Sequence, residues 1–261
     1  LEGGLPDELA QQVSLGTRRI RGHLLPQSLA SHSGYPEAAV LRGLRVVRIA
    51  VSDEVRRAGI GQSMVQAARA YAAEQDVDYL GTSFGGSADL LAFWQTCGLH
   101  VVRVGLQQEA SSGEYPLQMV AGFSQAGRDL EERIRSRLAD HWLTLLPGNW
   151  QGLEPTLLAG ITADLPTGPT LDKDDLRDLR NFANGHRGFQ VTVPVLRKLS
   201  QVPGIMAWLN SHEALAVWCQ GVLQGRPWSA LQADRLCLGQ REGEDRLRQV
   251  VRDLLKDGRG L

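Results

Sequence analysis

The chain has 261 residues, 28 Lys and Arg against 29 Asp and Glu, and 43% hydrophobic residues. That is enough apolar material for two modest domains with real cores. Split at residue 124, the first part carries 10 basic and 12 acidic side chains and the rest 18 and 17, so neither part is a basic, polyanion-coating domain by charge alone. Cys97, Cys219 and Cys237 are odd in number and form no C-x-x-C, so neither a zinc site nor a disulfide framework is expected. No metal is predicted, and the setting is read as reduced and cytoplasmic. No apolar run has the length of a membrane span, and no signal peptide pattern is present.

In chain order, residues 6–15 predict a short helix ending at Gly16. A small basic cluster, Arg18, Arg19 and Arg21, follows; it reads equally as a solvated surface segment or a nucleic-acid contact. Residues 24–29 and 32–36 read as loop and short helix, and 38–41 lead into a strand expected over 46–51, a β-branched apolar run broken only by Arg48. The chain then turns through Arg56, Arg57, Ala58, Gly59, Ile60 and Gly61, and a helix carrying Met64, Val65 and Tyr71 begins. Residues 77–84 predict a strand, 88–96 a helix with Leu90, Leu91, Phe93 and Trp94 on its apolar side, and 99–104 another strand. A polar turn over 109–114 and a returning strand over 115–121 complete an α/β pattern with a mixed sheet. Near 124–127 the period changes. Leu130, Ile134, Leu138 and Trp142 fall at helical spacing, Pro147 and Gly148 break that helix, and further helices are expected at 153–162, 172–183, 191–200, 211–224 and 243–256. The predicted organisation is an α/β domain over 1–125, with its core at 43–121, and an all-α domain over 126–261.

The turn after the first central strand has the chemistry of an anion site. Glycines let the backbone approach closely, the free N–H groups of the helix's first turn point outward, and the helix dipole favours negative charge there. Arg56 and Arg57 add cations, so a diphosphate is the natural guest. Neither a Walker A sequence nor the third glycine and acidic partner of a dinucleotide fold is present. Strand, Arg-x-x-Gly-x-Gly and helix together resemble motif A of the GNAT acyltransferases, which hold the pyrophosphate of acetyl-CoA in this way.

Further segments narrow the resemblance: Asp78-Tyr79-Leu80, Ser83-Phe84-Gly85, Phe93-Trp94-Gln95, Cys97-Gly98 and Glu109-Ala110-Ser111-Ser112-Gly113. In this order they are similar to the acetyltransferase part of the bacterial tRNA(Met) cytidine acetyltransferase family. The match is good over residues 15–125 and looser in the helical tail, which would correspond to an RNA-binding region. The resemblance implies a GNAT-like mixed sheet with flanking helices, acetyl-CoA as donor, and elongator methionine tRNA as partner. It implies N4-acetylation of a cytidine in that tRNA's anticodon. It also implies an ATP-driven helicase-like module outside this chain, whose start without Met is read as that of an excised fragment.

By the same resemblance acetyl-CoA contacts fall on Ile49, Ala50 and Val51 along the strand and on Arg56, Arg57, Ala58, Gly59, Ile60, Gly61 and Gln62 at the diphosphate. Asp89 and Thr96 complete the set, although they replace the family's usual Glu and Arg, and Ser52-Asp53 stands where relatives usually have His-Pro. The N–H of Val51 is the implied donor to the thioester carbonyl. Cytosine's exocyclic amine carries no proton to remove before attack, so the chemistry asks for positioning, carbonyl polarisation and a late proton sink. Glu109 and Tyr115 are the leading candidates for proton handling, with Ser111, Ser112 and His100 behind them. His186, Arg187, Arg197 and Lys198 are the RNA-contact candidates of the tail, with a helix-connecting loop as the alternative. Two other functions remain open at this point: a GNAT enzyme acting on a protein or small-molecule amine, and a non-catalytic acetyl-CoA or RNA-binding module.

Overall fold

The computed structural model describes residues 1–166, 168 and 170–258. They form two compact units, Leu1–Leu138 and Ala139–Leu261.

The first unit contains β1 (Glu2–Gly3), α1 (Asp7–Ser14), α2 (Leu24–Ser31), α3 (Glu37–Val40), β2 (Arg42–Val46), α4 (Ile60–Glu74), β3 (Tyr79–Gly85), α5 (Ala88–Thr96), β4 (His100–Val104) and β5 (Pro116–Gly122). The sheet runs β1-β2-β3-β5-β4, with β2 and β3 parallel and the other neighbours antiparallel. This is the mixed α/β sheet that the alternation of strands and helices predicts. On one face, Leu25 and Leu29 of α2 join Tyr79, Val102 and Val120, together with Leu130 and Ile134 of the next helix. Gly81 is required on that face, because a Cβ there would stand 2.3 Å from Leu25 Cδ2. Phe84, of opposite strand parity, packs toward Trp94 of α5 with ring centroids 6.3 Å apart. Leu90, expected on the apolar side of α5, is instead exposed.

The central strand differs from its expected range: β2 spans Arg42–Val46, not 46–51. Pairing with β3 begins at Gly43, where the Tyr79 ring lies 2.7 Å from the position of a Cβ, and the apolar run beyond Val46 leaves the sheet. The short β1 has no sequence signal, since it consists of Glu2 and Gly3. Glu2 is held there by a 2.5 Å ion pair to Arg45, and its carboxylate accepts from Leu25 N–H at 3.0 Å.

Helix α6 (Gln125–Asn149) explains why the units divide at Leu138 rather than at 125. Its first turns belong to the sheet. Ser124 Oγ accepts from Gly127 N–H at 2.9 Å and donates to Asp78 at 2.6 Å, while a Cβ on Gly127 would meet the Asp78 carbonyl at 1.9 Å. The Gly-rich stretch at 122–127 is thus a tight helix entry packed on the strand, and Leu130 and Ile134 complete the sheet's core. The helix also runs through Pro147, contrary to expectation. Proline at this place removes a bond only in the last turn, and Trp150, packed at a tilt against Trp142 with ring centroids 4.9 Å apart, carries the ladder on to Leu146 at 3.1 Å.

The second unit continues with α7 (Pro155–Asp164), α8 (Lys173–Asn184), α9 (Phe189–Ser200), α10 (Ile205–Leu209), α11 (Leu215–Val217), α12 (Trp228–Ala233) and α13 (Gln240–Lys256). Glu154 caps α7, and Asp172 with Asp175 forms a reciprocal capping box on α8. The helix expected over 211–224 is a single turn, α11, that passes into a π-helical turn at Trp218–Leu223. Buried indoles are satisfied: Trp142 donates to Thr162 at 3.0 Å and Trp218 to Ser200 at 2.9 Å. Among the described residues no helix is long and apolar enough to cross a membrane. No group of three or more His, Cys, Asp or Glu could hold a metal among them.

Candidate functional site: a splayed strand, a glycine turn and a cationic cleft

The site begins where two parallel strands part. The last β2–β3 pair is Val46↔Thr82, tied further by Thr82 Oγ1 donating to the Val46 carbonyl at 3.3 Å. Strand β3 continues through Ser83, Phe84 and Gly85, paired to β5 alone. Across the gap, residues 47–51 lie outside any strand, and their N–H groups take no backbone partner among the described residues. This leaves a row of open peptide groups that a ligand's amides can pair with as an added strand would. Ile49, Ala50 and Val51 lie on this row.

The turn follows directly. A short 3₁₀ turn at Asp53–Val55 leads to Arg56, whose guanidinium lies 2.7 Å from Asp53 and whose Nε donates to the Val51 carbonyl at 3.2 Å. Arg56 therefore fixes the end of the open row as well as adding charge. Arg57 adopts φ 62° and Gly59 φ +79°, which brings the chain into α4. Gly59 is the N-cap, no side chain caps the helix, and the first ladder bond runs from Ser63 N–H to the Gly59 carbonyl at 3.0 Å. The N–H groups of Ile60, Gly61 and Gln62 precede that bond and face outward for an anion. At Gly61 a Cβ would stand 3.1 Å from the Phe93 ring, so the turn sits close against α5. Gln62 Nε2 donates to Thr96 Oγ1 at 3.1 Å, and Thr96 in turn donates to the Phe93 carbonyl at 2.7 Å. Asp89 is exposed two turns earlier on α5. Glycine cradle, free N–H groups and open peptide row together fit the pyrophosphate and pantetheine of acetyl-CoA.

On the opposite face of the sheet lies a cleft of about 650 Å³ between the α1–α2 connection, α2 and the strands. Ser83, Gln118 and Arg103 line it in one row, because Gln118 on β5 is registered with Ser83 on β3 and with Arg103 on β4. Arg18, Arg19 and Glu109 line it as well. Burial works against the Arg103 charge. Burial and the guanidinium groups of Arg103 and Arg19 together hold the His32 imidazole below its usual range, as a positive cleft would.

Glu109 belongs to a closed turn: its N–H donates to the Glu114 carbonyl at 2.9 Å, and its carbonyl accepts from Gly113 N–H at 2.8 Å. Tyr115 lies just before β5, its carbonyl accepting from Gly86 N–H at 2.8 Å, and it does not line the cleft. Ser111 and Ser112 are exposed in the same turn, and His100 sits at the start of β4 opposite Val120.

The RNA candidates divide. Arg18, Arg19 and Arg21 are exposed, with no ion pair among the described residues. The tail cations have structural partners. Arg187 lies 2.7 Å from Asp178, Lys198 pairs with Asp175, and Arg197 Nε donates to the Val222 carbonyl at 2.8 Å. His186 of that set is exposed, with no hydrogen bond or ion pair among the described residues. The loop carrying it is held by α13, whose Arg248 donates to the carbonyls of Phe182, Gly185 and Arg187. Sequence reasoning missed Gln118 and Arg103. Their signal was a polar residue flanked by apolar ones on each strand, which alternation alone assigns to an exposed face.

A model of the family described as GNAT acetyltransferase 2 matches residues 1–76 and 67–124. Over these residues, a little under half of its length, the chain is similar to GNAT acetyltransferases. The chain is also similar to curated relatives named tRNA(Met) cytidine acetyltransferase TmcA. The one from Photorhabdus asymbiotica is 40% identical over 76% of this chain and 28% of its own length. That from Pectobacterium atrosepticum is 39% identical over 77% of the chain and 31% of its own length. The relative from Nitrosococcus halophilus is 33% identical over 97% of the chain and 35% of its own length. The match thus spans about a third of these relatives.

Proposed function

We propose that the chain carries the acetyl-transfer centre of an acetyl-CoA-dependent tRNA cytidine acetyltransferase, acting on the N4 amine of a cytidine in the anticodon of elongator methionine tRNA. The observation that carries the reading is the meeting of two sites at one point. The open peptide row and glycine turn lie on one side of the parted strands, and an arginine-lined cleft opens at Ser83 on the other.

Acetyl-CoA supplies the thioester acetyl group. In this reading Ile49, Ala50 and Val51 align the donor through backbone pairing, the turn from Arg56 to Gln62 holds the diphosphate, and Val51 N–H polarises the carbonyl. Asp89 and Thr96 serve the outer part of the donor, with Thr96 keeping Gln62 in place. Cytosine's amine needs no prior deprotonation, so holding it against the carbonyl is the main contribution. Glu109, the carboxylate lining the cleft, takes the proton released late, and Tyr115 stands near the departing sulfur. RNA docks first on Arg18, Arg19 and Arg21, while Arg187, Arg197 and Lys198 chiefly hold the tail together and His186 lies on its exposed loop. Any ATP-driven step belongs to the parts of the relatives outside the matched third, and the setting is cytoplasmic.

The test is calorimetric titration of the chain with acetyl-CoA, followed by mass analysis of nucleosides from tRNA incubated with the full-length parent protein. Binding and appearance of N4-acetylcytidine are expected. Absence of acetyl-CoA binding overturns the assignment. Binding with acetylation only of a protein or small-molecule amine moves it to the other enzyme class.

A further inference from the structure

Gln118 is a polar residue in the wrong place for a merely structural one. It is only 3% exposed, and its Oε1 is buried with no hydrogen-bond partner. Buried polar atoms are almost always satisfied, and one that is not asks for an explanation. Gln224 also has a buried, unpartnered Oε1, but its carboxamide is anchored, Nε2 donating to the carbonyls of Trp150 and Leu153 at 2.9 and 2.8 Å. The Gln118 carboxamide has no such anchor among the described residues and lines the cleft instead.

Its neighbours say what belongs there. Directly across β4 is Arg103, desolvated by its surroundings and without an ion pair among the described residues. Directly across β3 is Ser83, the first residue past the point where β2 and β3 separate. Cross-strand neighbours stand about 5 Å apart at Cβ. One row therefore presents a hydroxyl beside the donor site, a carboxamide with an open acceptor, and a cation. Arg18 and Arg19 face the same cleft from the α1–α2 connection. An apolar amine or an acidic peptide matches only part of this row. A base bearing an exocyclic amine, joined to a phosphate, matches all of it.

We propose that Gln118 is the residue that holds the exocyclic amine of the acceptor cytosine, and that Arg103 binds the phosphate attached to the same nucleotide. The amine donates one N–H to the carboxamide oxygen, its lone pair turned toward Ser83 and the parted strands. This deepens the cytidine reading above and rests on it.

The test uses cytidine 5′-monophosphate as probe, followed by saturation-transfer NMR on the whole chain. Acetyl-CoA affinity and thermal stability are measured in parallel. Gln118→Met keeps the side chain's length and removes a buried, unpartnered polar atom. It is expected to leave the melting temperature unchanged or raised and acetyl-CoA binding intact, while weakening the nucleotide about tenfold or more. Arg103→Gln is expected to weaken cytidine 5′-monophosphate strongly but cytidine, which lacks the phosphate, hardly at all. Equal nucleotide binding by wild type and Gln118→Met overturns the role of the carboxamide. Equal losses of nucleotide and nucleoside in Arg103→Gln overturn that of the arginine, and no transfer to the wild type overturns both. Acetyl-CoA binding that persists in any of these cases leaves the acetyltransferase reading standing.

Discussion

Gly59 is the residue at which local backbone and ligand affinity are most directly coupled. It sits at φ +79° and ψ −2° as the N-cap of α4, and a Cβ there would meet no heavy atom within 4 Å. A substitution is therefore strained by conformation and not by collision. For an L-residue that strain is about 1–2 kcal/mol, and 1.4 kcal/mol corresponds to a factor of ten. Two limits follow for Gly59→Ala. If the turn keeps its geometry, the loss falls on the stability of the first unit and acetyl-CoA affinity is unchanged. If the turn relaxes, stability is kept and affinity falls by about 5- to 30-fold, because binding must restore the strained form. A β-branched residue is a genuine outlier at positive φ, so Gly59→Val is expected to relax the turn and lose at least about tenfold in affinity. Calorimetry with acetyl-CoA and thermal unfolding, run on the same samples, separate the two limits. Unchanged affinity together with unchanged stability in Gly59→Val would refute the reasoning.

Other outcomes follow from the charges. Replacing Arg18, Arg19 and Arg21 together by alanine should flatten the salt dependence of tRNA binding by up to about three units in a filter assay, whereas Lys198→Ala should leave the slope unaltered. A slope that changes only in the second variant would put the RNA on the tail. Glu2→Ala leaves Arg45 half-buried without its partner and removes the acceptor of Leu25 N–H. It should destabilise the first unit by about 3–5 kcal/mol, and a denaturant midpoint matching wild type would contradict the role given to β1. Burial works against the Asp175 carboxylate, but the Lys198 ammonium and the Asp172 N–H outweigh it and hold its pKa below the usual value. Its contribution to the second unit is thus present above the ordinary carboxylate range and lost as pH falls through the lowered folded value. Acid unfolding followed by tryptophan fluorescence should therefore lose part of its pH dependence in Asp175→Asn, and an identical profile would argue against this pair.

How much of this was legible in the sequence depended on whether the signal was local. The helices α5, α8, α9 and α13 follow from apolar spacing with caps and glycines, within a residue or a few of their observed ends. The glycine turn was legible for a related reason: its chemistry lies in neighbouring backbone groups, and Gly59 must be glycine wherever the chain goes next. Periodicity was a poorer guide to strand limits. The run over 46–51 has the composition of a buried strand, yet pairing is decided by the partner, and β3 offers its parallel edge only as far as Thr82.

Charge was the least local property. Arg187, Arg197 and Lys198 read as free cations in the linear chain, and only packing of α9 against α8 and against the π-helical turn at Trp218–Leu223 brought Asp178, Asp175 and the Val222 carbonyl to them. The row of Ser83, Gln118 and Arg103 is the opposite case, three unremarkable residues from three strands made into a site by register. The sequence by itself determined the helices of the tail, the strand–turn–helix that suits a diphosphate, and a resemblance to GNAT acetyltransferases over the first half. Tertiary structure alone decided where β2 leaves the sheet, which cations stay uncompensated, and which side chains share the cleft. The reason is physical: turns and helix periods are fixed by bonds within a few residues, whereas strand register and charge compensation depend on groups tens of residues apart.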